Sequence, residues 1–420
     1  MEIMDIKLTN GKPVFSWCHN IEENAKKQIE EIAKLPFVEH ISIMPDAHMG
    51  CGFPIGSVVA TKDVILPLAV GSDAGCGCSA IKTNITKDQI MDIELRNRIY
   101  NSTLRGIPIG FSHNNQKREQ ELDRKYKTKI GFIYEKTEIF DQQGFKVLKD
   151  IDKAVLSSLG TCGGGNHYFS CDYDENGYIW LNLHSGSRNI GKRICDYFNE
   201  IALKKMKEWY SIETSNIPFL PVSSNEGKSY LVWLDFALRF AYLNRSIMLD
   251  EMKIALEHEF PNVEFGEQIN IHHNYAIQES HFGQNLWVHR KGAVCAREGI
   301  IGIIPGNMSV GSYIVEGLGN PQSLNSSSHG AGRVEGRKSF NQKMNTVEDI
   351  ERIKKSMEGI VFSGFGKETS RKGKETGNLD LSESCEAYKN LDEVMNNQKD
   401  LVKILHKLTT LINWKDIGEE

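Results

Sequence analysis

Residues 178–191 read YIWLNLHSGSRNIG. Seven residues dominated by aromatic and aliphatic side chains predict a strand, and that strand runs straight into a glycine loop carrying His184 and Arg188. The same join recurs along the chain. VEHISIM at 38–44 and SVVATKDVIL at 57–66 read as further strands close to polar loops, and glycine blocks stand at GCGFPIG 50–56, GSDAGCG 71–77, GTCGGGN 160–166, PGNMSVGS 305–312 and HGAGR 329–333. Glycine permits positive φ and close backbone approach, so such blocks read as tight loops at strand ends, around a ligand. Any one of them alone would read equally well as an ordinary turn. Helical periodicity fills the intervals. Ile21, Ala25, Ile29, Ile32 and Ala33 make a stripe over 20–35, entered at Asn20 and stopped before Pro36. Residues 226–259 read as a long helix, Thr346 and Asp349 open another that runs to Met357, and 391–412 read as a last amphipathic helix. Apolar strands feeding glycine loops between long helices predict a mixed α/β (α+β) fold.

The 420 residues are 40% apolar and 25% charged with 11 Pro, an ordinary globular composition that excludes wholesale disorder and a fibrous role. The opening MEIMDIKLTNGK has no basic n-region or apolar h-region, and no apolar run would span a bilayer, so the expectation is a soluble, cytoplasmic protein without a membrane partner. No internal repeat or Gly/Ser linker divides the chain, which predicts a single domain over 1–420. The formal charge of −5 excludes a globally basic nucleic-acid binder but not a local basic groove. Two basic stretches, KREQELDRKYKTK at 117–129 and KETSRKGKETG at 367–377, mark expected surface insertions near 113–130 and 364–378. They read as solvated loops or a solvated helix face, or else as contacts to a nucleic-acid backbone. Nine Cys, an odd number, argue against a disulfide framework.

Metal-binding residue types sit inside or beside the glycine blocks, at Asp73 and Cys76, Asn166 and His167, His184 and His329, with Asp46 and His48 near the first block and His272 to Asn274 outside them. No compact CxxC pair set exists, so a structural zinc knuckle is not expected. Asp73-x-x-Cys76 could place a carboxylate and a thiolate on one ion. Three imidazoles added to that pair give a mixed O/N/S set suited to Mn, Zn, Co or Fe rather than Ca or Mg.

Eight motifs in order, MPDAHMG, VGSDAGCG, LGTCGGGNH, LHSGSR, HHNYA, HRKGA, IIPGNMSVGSY and SSSHGAGR, resemble the RtcB family of RNA ligases. The resemblance runs from Met44 to the carboxyl terminus and is closest to the shorter bacterial members, including INIHHNYAIQESHFG at 269–283. It implies a single domain with a deep metal and nucleotide cleft. It also implies joining of an RNA 3′-phosphate, or a 2′,3′-cyclic phosphate opened to it, to a 5′-hydroxyl, with GTP and two manganese ions, in RNA repair or tRNA splicing. Matched residue by residue, Asp73, Cys76, His167, His184 and His273 would be metal ligands, with Cys76 bridging. His329 would be the nucleophile that takes GMP. The nucleotide pocket would include Asn166, His167, Ser170, His273, Asn274, Pro305, Gly306, Asn307, Met308, Ser312, Gly330, Ala331, Gly332, Tyr388 and Lys415. His48, Arg188, Arg333 and Arg337 match positions that hold RNA phosphates; from spacing alone, Arg333 and Arg337 would decorate a helix surface.

The chain departs from the family pattern in places. GNHYFS puts Ser170 where the family has an acidic residue expected to read the guanine edge, so GTP and ATP both stay open. PGNM places Asn307 for the usual Ser, SDAGCGC replaces VDIGCGM, and WKD retains Lys415 while the tail lengthens to IGEE. These changes fit a divergent paralogue with a release-factor-like or ribosome-associated partner. Two other readings stand beside the ligase: a metal-dependent phosphodiesterase that opens cyclic phosphate ends without sealing, and an RNA-end-binding factor whose catalysis has decayed.

Overall fold

The computed structural model describes residues 1–135, 147, 150–209, 217–369 and 375–416. Two six-stranded sheets organise them. The first runs in the order Glu2–Lys7, Pro13–Ser16, Val38–His48, Ile55–Thr61, Gln284–Lys291, Asn274–His281; the second runs Ile269–His272, Gly77–Thr86, Tyr178–Ser185, Tyr168–Tyr173, Thr409–Lys415, Val361–Phe362. Pairing is antiparallel except between Pro13–Ser16 and Val38–His48 and between Thr409–Lys415 and Val361–Phe362. The chain crosses from the edge of the second sheet to the edge of the first at one residue, His273, which separates Ile269–His272 from Asn274–His281. The mixed α/β fold is the one the sequence predicts.

Asn225–Glu259 is the central helix, opened by Ser224, whose hydroxyl accepts from the Gly227 N–H at 3.0 Å. It packs against Gly77–Thr86, Tyr178–Ser185 and Ile269–His272 and against the helices Ile93–Gly106 and Asn189–Trp209. It buries Trp233, Phe236, Phe240, Met248 and Leu249, among others, which explains why its apolar residues run almost all round. One face feeds the core under the second sheet, where Phe169, Leu181, Leu183 and Trp414 are buried. No helix among the described residues is long and apolar enough to cross a membrane.

Two expectations about elements change, and for the basic stretch at 117–129 the helix-face reading is the one found. The helix expected over 391–412 ends after Leu391–Asn396; Val402–Lys407 and Thr409–Lys415 are strands. Val402, Ile404, Thr409, Thr410 and Ile412 are β-branched and stiff at χ1, and both segments find strand partners, in Ser312–Gly317 and Tyr168–Tyr173. The strand expected over 57–66 breaks at Asp63, which takes φ 55°, into Ile55–Thr61 and Val64–Ile65. The basic stretch at 117–129 lies in the helix Gln116–Ile133, which is no free loop: Leu122, Tyr126, Ile130 and Ile133 are buried in the core beside the central helix. Its charges cover only the outward face. Of the second basic stretch, Lys367–Thr369 and Glu375–Leu379 pair as a hairpin, and 370–374 lie outside the described residues.

Candidate active site

Register builds the site. Antiparallel pairing sets Cys78, His184, Tyr168 and Lys415 opposite one another across four strands, and Ala80, Asn182, Ser170 and Asn413 opposite one another in the next row on that face. Loops leaving the ends of these strands supply the rest: Asp73 and Cys76 precede Gly77–Thr86, and His167 precedes Tyr168–Tyr173. A cavity of 410 Å³ opens above this end of the sheet.

Asp73, Cys76, His167, His184 and His273 converge. Cys76 Sγ lies 3.3 Å from His167 Nε2 and 3.2 Å from His184 Nε2; His167 Nε2 is 2.9 Å from Asp73 Oδ2, and His184 Nε2 is 2.8 Å from His273 Nε2. The donors fall into two groups, Cys76–His184–His273 and Asp73–Cys76–His167, with the thiol common to both. Two imidazole nitrogens and a sulfur aimed at one point satisfy each other poorly as hydrogen bonds and well as ligands, so the set fits a pair of borderline divalent ions. Burial, together with the neighbouring His167 and His329, holds His184 well below the ordinary imidazole range, and burial with His329 and His184 does so for His273. Both are therefore neutral, as ligands must be. Burial pushes the Asp73 carboxyl up, but His167, Cys76 and His273 together more than reverse it, and the net shift is downward. Burial drives the Cys76 thiol well up, so in the free protein it keeps its proton.

The cluster is braced from behind. Arg245 of the central helix is fully buried and donates to the carbonyls of Gly75 at 2.8 Å and Ser185 at 3.0 Å, and to Asn270 Oδ1 at 2.8 Å. Its neighbour Asn244 accepts from the N–H groups of Gly160 and Thr161 and donates to Thr161 and Gly186 carbonyls. Gly186 has no room for a side chain, since a Cβ there would stand 2.2 Å from Asp73 Oδ1.

His329 stands beside the cluster, its ring centroid 4.7 Å from that of His273. Asp46, fully buried, takes its Nδ1 at 2.6 Å and its backbone N–H at 3.1 Å on a single carboxylate oxygen. With Nδ1 so committed, Nε2 is the nitrogen left for a reacting atom. Gly332, at φ 73°, lets HGAGR close over Asp46, where a Cβ would meet the Asp46 carbonyl at 2.2 Å.

The cavity wall also carries Pro305 to Met308, Gly330 to Arg333, Arg337, Glu383, Tyr388, Asn413 and Lys415, together with His48, Asn166 and Asn274. Arg333 NH1 and Arg337 Nε both reach Glu383 Oε1, at 3.2 and 2.5 Å. Lys415 Nζ reaches Oε2 at 3.2 Å, and the Tyr388 hydroxyl donates to the same oxygen. Burial would raise the Glu383 carboxyl, but Lys415, Arg337 and Arg333 hold it down at about 2. Arg333 precedes the helix Arg337–Lys343 in a loop, so the pair does not share a helix face.

Four expected residues are not on the cavity wall. His167 sits behind Cys76 in the second donor group. Ser312 lies buried, its Oγ 3.4 Å from the Tyr168 hydroxyl. Arg188, at φ 56°, a conformation that costs about 1–3 kcal/mol, is tied to Thr161 Oγ1 at 2.9 Å and the Gly110 carbonyl at 2.5 Å. Ser170 is buried and donates to Asp172 Oδ2 at 3.0 Å. Its cross-strand neighbour Asn413 reaches the wall instead, with Oδ1 unpartnered. Asn274 lines the wall, but its side chain brackets two loops, accepting from Gly292 N–H at 2.7 Å and donating to the Asp73 carbonyl at 3.1 Å. Asn244, Arg245, Asn413 and Glu383 escape a reading of the sequence because no local pattern marks them. Asp46 stands out by type alone.

Residues 28–416 match the family described as tRNA-splicing ligase RtcB. The RNA-splicing ligase RtcB of Escherichia coli K12 is 35% identical over 97% of this chain and 98% of its own length. The tRNA-splicing ligase RtcB of Methanococcus maripaludis is 27% identical over 89% and 87%, and RNA-splicing ligase RtcB homolog 1 of Entamoeba histolytica 26% over 98% and 86%. Eight sequence motifs in order, a family match spanning nearly its whole length and a relative 35% identical over 97% of it place this chain in the RtcB family.

Proposed function

We propose that this protein is a GTP-dependent, manganese-dependent RNA ligase that joins 3′-phosphate or 2′,3′-cyclic phosphate ends to 5′-hydroxyl ends through a nucleotidylated His329. The observation that carries the reading is His329, held by Asp46 at 2.6 Å, beside two donor groups in one cavity. Cys76, His184 and His273 would hold one ion, and Asp73, Cys76 and His167 the other. Bound there, divalent ions neutralise phosphate charge and the pyrophosphate leaving group.

The chain's own residues supply the rest. Nε2 of His329 attacks the α-phosphorus of the nucleotide; an N–P bond forms, and the P–O bond to pyrophosphate breaks. The ring retains its Nδ1 proton and becomes cationic, and Asp46 stabilises that charge. An RNA 3′-phosphate oxygen then takes the GMP from His329, a cyclic phosphate end having first been opened. The 5′-hydroxyl attacks the activated phosphate and GMP leaves. Arg333 and Arg337 suit the RNA phosphate through their planar forks. Asn307, Met308, Gly330 and Gly332 would offer backbone N–H groups to phosphates, and Tyr388 and Lys415 would hold the base. RNA repair and tRNA splicing both need such a joined product.

Incubation with manganese and α-labelled GTP or ATP, resolved on a denaturing gel, tests this. A covalent band from wild type and none from His329→Ala is expected. Equal labelling of the variant would sink the assignment of His329. Ser170, buried off the cavity wall, favours a second reading, opening of cyclic phosphates without sealing; a product gel that shows 3′-phosphate ends and never joined RNA would establish it.

A further inference from the structure

Glu383 is the acidic residue on which Arg333, Arg337 and Lys415 converge. Its carboxylate is nearly buried, at 13% side-chain exposure, and the loop that carries it is pinned by Asn341 Oδ1 accepting from Leu381 N–H at 3.0 Å and by Ser384 N–H on the Leu381 carbonyl at 2.9 Å. The two oxygens are divided. Oε1 faces Arg333 and Arg337, the pair suited to an RNA phosphate; Oε2 faces Lys415 and Tyr388, on the side suited to the nucleotide. Three cations on one carboxylate leave a formal excess of two positive charges. Arg333 NH2 is buried without a hydrogen-bond partner, a donor still owed an acceptor.

Resting on the ligase reading, we propose that Glu383 is a positioning residue that couples the two ligands. An RNA 3′-phosphate that takes Arg333 and Arg337 draws them off Oε1. The carboxylate's charge then falls wholly on Lys415 and Tyr388, which fixes those groups for the base. Occupation of either side therefore strengthens the other, because linkage is reciprocal.

The test measures manganese-loaded wild type and Glu383→Gln with a non-hydrolysable GTP analogue and a short RNA oligonucleotide ending in 3′-phosphate, each titrated with and without the other. In wild type the oligonucleotide should tighten the analogue by about fivefold or more, and an otherwise identical 3′-hydroxyl oligonucleotide should not. In Glu383→Gln, which keeps the side chain's shape, the factor should fall to within about twofold of unity. A merely structural role would weaken each affinity and leave their ratio alone. Wild-type coupling retained by the variant, or no positive coupling in wild type, overturns the proposal. Should Glu383→Gln fail to fold, the half-exposed Arg337→Gln carries the same test, and full coupling in it overturns the proposal equally. Wild type that binds and labels normally while coupling survives substitution refutes this inference alone. Wild type that binds neither ligand and takes no label refutes the ligase reading, and this inference with it.

Discussion

Asp46→Asn is the sharpest probe of the nucleophile. Both donors of His329, the ring Nδ1–H and the backbone N–H, point at one oxygen, Oδ2, at 2.6 and 3.1 Å, while Oδ1 is buried with no partner. The amide of Asn can therefore put its oxygen where Oδ2 was and its NH2 where Oδ1 was, keeping both hydrogen bonds to His329 while losing the charge and leaving the NH2 as buried and unpartnered as Oδ1 is now. Bonds to charged groups contribute about 1.5–3 kcal/mol against about 0.5–1.5 for neutral ones, so the deficit is about 1–2 kcal/mol. That deficit grows as the ring becomes cationic on attack, and it corresponds to roughly a fivefold to thirtyfold slower covalent labelling. Asp46→Ala removes both bonds and frees the ring to carry its proton on either nitrogen; the loss there should exceed about a hundredfold, or some 3 kcal/mol. The assay is the initial rate of enzyme labelling from α-labelled GTP with saturating manganese, beside thermal unfolding of each variant. Labelling of Asp46→Asn within twofold of wild type, with folding intact, would refute the idea that Asp46 sets the nucleophile.

Cys76→Ala takes a donor from both metal groups, whereas His167→Ala spares Cys76–His184–His273; calorimetry with manganese should show two sites weakened at least about tenfold in the first and one in the second. Two wild-type sites in Cys76→Ala would remove the shared-thiol arrangement. Asn413→Asp sets a carboxylate on the wall where Oδ1 is now unpartnered, and a charge-assisted bond to the donating edge of guanine should raise the GTP-over-ATP labelling ratio by about tenfold. An unchanged ratio would place the base elsewhere. Glu383 is depressed from 4.5 to about 2, so its contribution to stability is fully present above pH 4.5 and lost as pH falls toward 2. Urea unfolding across that window should show a steeper acid decline in wild type than in Glu383→Gln, by at most about 3 kcal/mol; parallel curves would mean the cations do not hold the carboxylate.

The parts legible in the sequence are those decided locally. Val38–His48, Tyr178–Ser185 and Asn225–Glu259 follow from runs of apolar residues and a serine cap, and the glycine blocks stand where strands end. The ligand types were visible because few other reasons place Asp, Cys and His inside such loops. Their convergence was not. The 2.8 Å between His184 and His273 depends on the pairing of Gly77–Thr86 with both Tyr178–Ser185 and Ile269–His272, partners some ninety to two hundred residues away along the chain. The same non-local pairing misled the reading of 391–412, whose helical stripe of leucines yielded to β-branched residues that had strand partners waiting. Glu383, Asn244 and Arg245 show the limit most clearly. Arg245 looks like a stray charge in an apolar helix, and Glu383 like one of many surface acids in SESCEAY. A buried guanidinium without partners would cost several kcal/mol; folded, Arg245 finds carbonyls from the loop that carries Cys76 and from the strand end at Ser185, so it persists only if the two are held at that spacing. A charge that the core tolerates solely because a loop answers it ties the position of that loop to the stability of the fold. That bond makes the donor cluster a feature of the core and not of its surface, and it explains why residues invisible to local pattern lie directly behind the ones that pattern reveals.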